Sequence, residues 1–263
     1  MTSARRTFRR AWLAGLVTTL AIAAAPLRAA PCAFEAQGEG RVAEVVDGRS
    51  FRLSDGREIK LAGIEPASSD MTKAGRAAAL SAILANKDVT LHGGDDTPDR
   101  YGRQSAFVFL ANDDTPVQSR LLADGAALVS TEIADKDCAG ALTTAEAAAR
   151  AAKKGIWAGP AVIKNAESTD DILAGIGRFM LVEGKVLSVR QAGATTYLNF
   201  GRRWTRDFAV TISRRMLPAV ETAGVAVKSL ENRRIRVRGW VEARPGPRID
   251  VVRAGQIEVL GGN

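Results

Sequence analysis

The chain has 263 residues, 46% hydrophobic and 25% charged, an ordinary balance for a folded protein and too apolar for a disordered one. One histidine and two cysteines offer no metal-ligand cluster of the Cys/His zinc kind. The formal net charge of +8 is uneven: residues 30–159 carry 15 basic against 19 acidic side chains, whereas residues 160–263 carry 17 against 10. The C-terminal part therefore suits a polyanion or an acidic surface.

The first residues read as an export signal. Arg5, Arg6, Arg9 and Arg10 precede an apolar run from Ala11 to Ala25, and Leu27-Arg28-Ala29 offers a small-residue cleavage site. The run is shorter than the roughly 20 apolar residues of a spanning helix. The expected cut after Ala29 leaves 234 residues, exported to the periplasm or secreted, with no membrane attachment once the signal is gone. Arg5-Arg6-Thr7-Phe8 also resembles a twin-arginine signal, and an ordinary positive leader reads equally well. In an oxidising compartment Cys32 and Cys138 can form one bridge or remain two buried thiols.

From Arg41 to Val46 the chain alternates as a strand, and Asp47-Gly48 marks a hairpin turn. Ser50–Leu53 is a second strand, Asp55-Gly56 a second turn, and Glu58–Ile64 a third strand. Residues 72–86 read as a helix, with Ala79, Leu80, Ile83 and Leu84 at helical spacing. Val89–Leu91 and Ser105–Leu110 are further strands, the first of them ending beside His92. Val117–Ala123 is a short helix ended by Gly125, and Thr143–Lys154 a second one capped by Thr143 and Glu146. Five strands with a helix between the third and fourth predict a small Greek-key barrel of the oligonucleotide-binding (OB) type.

Residues 159–178 read as a linker with a short helix at 170–176. Beyond it the strand pattern restarts at Met180–Val189, Thr195–Phe200 and Asp207–Ile212. A helix over Arg215–Ala223 follows, then strands Ile235–Val241 and Arg248–Val252, with a short one at Ile257–Leu260. The same order predicts a second, smaller OB-like barrel over residues 179–261. Its basic loop Gly201-Arg202-Arg203-Trp204-Thr205-Arg206 carries an aromatic. Arg234, Arg236 and Arg238 share one strand face with Trp240 by parity. Basic grooves with stacking aromatics hold single strands, so Arg202, Arg203, Trp204, Arg206, Arg236 and Arg238 are candidate nucleic-acid contacts. A solvated charged face explains the strand residues equally well.

Five motifs in order resemble the thermonuclease, or staphylococcal nuclease-like, family over residues 38–158. They are Val46-Asp47-Gly48-Arg49-Ser50-Phe51-Arg52-Leu53, Lys60-Leu61-Ala62-Gly63-Ile64-Glu65, Asp99-Arg100-Tyr101-Gly102-Arg103, Val117-Gln118 through Gly125-Ala126-Ala127, and Glu146 through Ala149-Arg150 to Gly155-Ile156-Trp157. The C-terminal segment resembles, more loosely, the OB-like segment beside some bacterial thermonuclease domains. The first resemblance implies a calcium-dependent phosphodiesterase acting on DNA and RNA. In such a site two arginines clamp the phosphate, carboxylates hold a hard cation, and a glutamate activates water.

Carried over residue by residue, that machinery is altered. One family arginine falls on Lys60, which keeps the charge but loses the planar fork. The other is retained as Arg103. One metal carboxylate falls on Arg49, whose charge opposes calcium. The other falls on Glu65, so Asp47 and Glu65 are the carboxylates left for a metal. The general base falls on Ser68, with Asp70 two residues on as a substitute, and Glu65-Pro66-Ala67-Ser68 departs from the family order. Arg49 is thereby a phosphate contact rather than a metal position. Arg49 and Lys60 as solvated strand residues, and Arg103 as a holder of its turn, are the plainer alternatives. The expectation is an exported protein that binds DNA or RNA, single strands included, with weak or absent calcium-dependent cleavage. An active nuclease with an altered metal site and a cell-envelope interaction module are the alternatives.

Overall fold

The computed structural model describes residues 32–66, 73–133 and 135–261. The expected signal peptide, Ser68 and Asp70 lie outside the described residues. No helix among them is long and apolar enough to cross a membrane.

The first half is a closed five-stranded barrel flanked by helices. Its elements are β1 (Glu35–Val45), β2 (Ser50–Leu53), β3 (Glu58–Leu61), β4 (Ile64–Glu65), α1 (Lys73–Leu84), β5 (Asp88–Gly93), β6 (Arg103–Leu110), α2 (Val117–Ala123), β7 (Leu128–Val129) and α3 (Lys136–Ala151). The barrel runs β1-β2-β3-β6-β5 and closes on β1. Closure depends on β1, whose later residues pair with β2 and whose earlier residues pair with β5, with irregular register at Val42/Glu44 and at Ala36/Gly38. Such irregularities bend a strand and increase its twist. Alternation then points Phe51, Leu53, Ile59 and Leu61 into the core. The outward face of β3 carries Glu58 and Lys60. His92 lies near the end of β5, and its Nδ1 is 2.9 Å from the carbonyl oxygen of Phe34.

Helix α3 begins earlier than its alanine pattern suggests. Asp135 is the N-cap, accepting a hydrogen bond from the Cys138 amide at 2.7 Å. Thr143, expected as the cap, lies inside α3. Cys32 and Cys138 form a disulfide that ties the segment ahead of β1 to the start of α3. Gly125 after α2 and Gly155 after α3 both have positive φ, and the two turns meet where the Ile156 amide bonds Gly125 O. A Cβ on Gly155 would sit 2.4 Å from the carbonyl oxygens of Asp124 and Gly125, so only glycine fits there.

The second half is not a barrel. Its strands are β8 (Ile163–Asn165), β9 (Phe179–Lys185), β10 (Ser188–Ala192), β11 (Thr195–Asn199), β12 (Ala209–Ser213), β13 (Arg234–Ala243), β14 (Pro247–Val251) and β15 (Ile257–Val259), with helices α4 (Thr169–Leu173) and α5 (Leu217–Thr222). They form one open sheet in the order β10-β11-β12-β14-β13-β9-β8, and β15 lies beside β13. The second OB-like barrel expected from the strand order is therefore corrected. The stretch 180–189 is two strands rather than one, interrupted at Val186–Leu187. There the Val186 amide bonds Arg233 O and the Leu187 amide bonds Asn199 O. The expected linker, 159–178, contains β8, which pairs in parallel with β9 and widens the sheet.

The two halves share packing. Leu128, Ala149, Ile156, Trp157 and Val162 from the first half's end bury against Phe179 and Leu181 of β9.

Candidate functional site

The turn after β1 positions Arg49. The amides of Val46 and Asp47 both reach Ser50 O, and the Asp47 carboxylate accepts the Arg49 amide at 2.8 Å. This Asx-type turn uses one oxygen of Asp47 for the backbone. Gly48 is required by close approach, since a Cβ there would meet the Arg76 Cβ at 2.6 Å. Arg49 O in turn accepts the Leu61 amide at 2.8 Å. The Arg49 guanidinium forms an ion pair with Glu65, whose side chain is only 3% exposed. Glu65 stands on β4, fixed by its pairing with β7. Burial pushes its carboxyl above the usual range, and the nearby cations of Arg49 and Lys60 offset this only in part.

Lys60 lies on β3 opposite Ser50 of β2 and Ser105 of β6. It is the cation of this face that no carboxylate touches among the described residues. Arg103 opens β6 on the same outward face as Ser105. Its Nε and Nη2 bond Asp99 at 3.1 and 2.8 Å, and its guanidinium lies 5.1 Å from the centre of the Tyr101 ring. Asp99 also accepts the amides of Tyr101 and Arg103 at 2.8 and 3.1 Å. The Arg103 side-chain bond, followed by these backbone amides, lowers the Asp99 carboxyl to about 2. Asp99, Glu58 and Asp47 together raise the Arg103 pKa above its ordinary value. Asp99 is thus the partner that fixes Arg103, leaving the Nη1 donors for a ligand. The Asp-x-x-x-Arg spacing was the available signal for it.

The residues present do not fit calcium. A hard cation needs six to eight oxygen ligands. Here Glu65 is occupied by Arg49, and Asp47 spends an oxygen on its own turn. No group of three or more metal-ligating side chains occurs among the described residues. Ser68 and Asp70, the family-base position and its substitute, lie outside them.

The C-terminal candidates divide. Arg202, Arg203, Trp204 and Arg206 are exposed on the loop between β11 and β12, Trp204 at 72%. The basic face expected of β13 is instead neutralised by carboxylates, and it is buried at Arg238. Arg236 sits between Glu183 and Glu258, with bonds of 2.9 and 2.8 Å. Arg238 is 8% exposed and grips buried Glu146 of α3 with two bonds of 2.8 and 3.0 Å, adding a third to Val129 O at 3.1 Å. That fork holds the two halves together. Strand parity placed Arg236 and Arg238 on one face correctly, but it contains no information that this face packs against another part of the chain. Trp240 on the same face stacks edge-on against Phe179.

Residues 59–159 match the family model of staphylococcal nuclease homologues. The match begins at β3, so the turn carrying Asp47 and Arg49 precedes it. No curated protein matches the chain.

Proposed function

We propose that the first barrel binds DNA or RNA through backbone phosphate at the face formed by Arg49, Lys60 and Arg103, and hydrolyses it weakly or not at all. The Arg49–Glu65 ion pair carries this reading: a guanidinium holds the carboxylate that a metal-dependent nuclease needs free. Lys60 supplies an unneutralised charge, and Arg103 supplies donors pre-oriented by Asp99. Neither replaces a Lewis acid or a general base.

Digestion of single- and double-stranded DNA and of RNA with calcium, magnesium or chelator tests the proposal. The expected result is little or no turnover in any of them, together with binding that weakens as salt rises. Chelator-sensitive turnover that disappears in Arg103→Ala overturns it. The combined change Arg49→Asp, Lys60→Arg and Ser68→Glu is expected to raise cleavage.

The leader-like first 29 residues support export of the chain, and the disulfide fits an oxidising compartment. A mature N-terminus at Ala30 in an extracytoplasmic fraction is the expected observation; an intact Met1 in the cytoplasm would refute export.

A further inference from the structure

Beyond the first-barrel reading, the open sheet carries a second recognition surface. Residues of β10, β11, β12 and β14 alternate between a packed face and a free one. Leu198, Val210, Ile212 and Ile249 enter the core, while Arg190, Tyr197, Thr211 and Arg248 point the other way. The strand register lines these up: Arg190 lies opposite Tyr197, and Tyr197 opposite Thr211. In the next row Ala209 lies opposite Arg248. The alanine keeps the floor low. The Trp204 loop and the turn between β13 and β14 wall the floor into a cleft of about 740 Å³. These two walls touch, since a Cβ on Gly246 would meet Asp207 O at 3.0 Å.

Four arginines line the cleft, at positions 190, 202, 244 and 248, against one acid, Asp207. One Asp207 oxygen already accepts the Arg203 amide at 2.7 Å. Arg190 and Arg202 form no side-chain ion pair among the described residues. Arg248 is paired with Asp250, its Nη2 donating at 3.4 Å and its Nε lying 3.3 Å away, and Arg244 lies 3.4 Å from Glu242, so Arg190 and Arg202 are the cations of the lining left for a ligand. Two aromatic rings complete the lining, Tyr197 on the floor and the largely exposed Trp204 on the wall.

We infer that this cleft binds single-stranded nucleic acid. Its rings stack unpaired bases while Arg190 and Arg202 neutralise the phosphates. Charge complementarity selects an anion, and the rings select one that presents flat faces. A duplex keeps its bases stacked on each other and offers the cleft none.

The test is fluorescence anisotropy on the full, disulfide-intact chain. It uses a labelled thymidine oligonucleotide, the same length of duplex, and inorganic polyphosphate as competitor. Trp204→Ala is expected to weaken single-strand binding by about tenfold or more, and Trp204→Phe to restore most of it. Arg190→Ala with Arg202→Ala is expected to lower the salt slope by about 1.4, two contacts at roughly 0.7 each. Trp204 projects into solvent, so its loss leaves folding intact. The same variants are made in a Lys60→Ala/Arg103→Ala background. If only the first-barrel reading is wrong, that background binds like the parent and still loses affinity with Trp204→Ala. Absent binding, duplex binding as tight as single-strand binding, or indifference to Trp204→Ala overturns the inference. Polyphosphate displacing the oligonucleotide as effectively as an unlabelled oligonucleotide of equal charge also overturns it, because it assigns the surface to anionic polymers lacking bases.

Discussion

Replacing Arg238 by methionine tests how the two halves cohere. The change removes three hydrogen bonds, two to Glu146 and one to Val129 O, from a site where Glu146 is fully buried. Removing one partner of a buried ion pair costs about 3–5 kcal/mol, because the remaining charge stays desolvated. Here Arg150 stands 3.7 Å from Glu146 and the Val129 amide still donates at 2.6 Å, so the lower end, about 3 kcal/mol, is expected. For a chain of this size that lowers the melting temperature by roughly 6–12 °C. Calorimetry and urea unfolding of the oxidised chain measure it. Separation of one transition into two is the accompanying sign, since the fork joins α3 to β13. Adding Glu146→Gln keeps an acceptor for Val129 and removes the stranded charge, so the double variant is expected to regain about 1–2 kcal/mol. A loss below about 0.5 kcal/mol for Arg238→Met would refute the reasoning, as such a value is typical of exposed pairs.

Glu65→Gln is expected to change the pH profile of stability. The folded-state pKa of Glu65 lies above its unfolded value, so its contribution is complete below the ordinary glutamate range and declines as pH rises through the folded value. Urea unfolding from pH 4 to 8 should show Glu65→Gln gaining on the parent across that window, and a constant gap contradicts the assignment. Asp99 works in the opposite sense. Its lowered carboxyl contributes above the ordinary aspartate range, and that contribution fades as pH falls toward 2, so Asp99→Asn should differ most from the parent near neutrality and converge with it in acid. Gly155→Ala combines a left-handed backbone with 2.4 Å approaches to two carbonyl oxygens and is expected to cost more than about 2 kcal/mol. A variant within about 0.5 kcal/mol of the parent by urea unfolding shows that the turn can shift.

The first barrel was readable because its information is local. Asp47-Gly48 and Asp55-Gly56 punctuate alternating runs, and turn chemistry with period-two patterning fixes such strands without distant partners. The candidate residues were readable as types and strand faces: Lys60 and Arg103 lie on the outward face of β3 and β6, and Arg49 stands just ahead of β2. Their pairing was not, because the Arg49–Glu65 contact depends on where β4 docks on β7. Glu146 shows the same limit. Its place three residues after Thr143 mimics a capping box, yet its carboxylate serves an arginine 92 positions away. The closure of the second sheet failed for a related reason. The stretch from Met180 to Val189 reads as one strand, and the break at Val186–Leu187 comes from bonds to Arg233 and Asn199.

The Cys32–Cys138 bridge has a practical consequence for handling the molecule. It encloses nearly the whole first barrel, across a sequence separation of 106 residues. Loop-closure entropy for a ring of that size is worth about 4–5 kcal/mol. Material produced in a reducing cytoplasm, or stored with dithiothreitol, lacks that contribution and unfolds at lower temperature and denaturant. Two laboratories using different expression hosts would then disagree about the sturdiness of the same polypeptide, and a thiol titration on each sample would reconcile them.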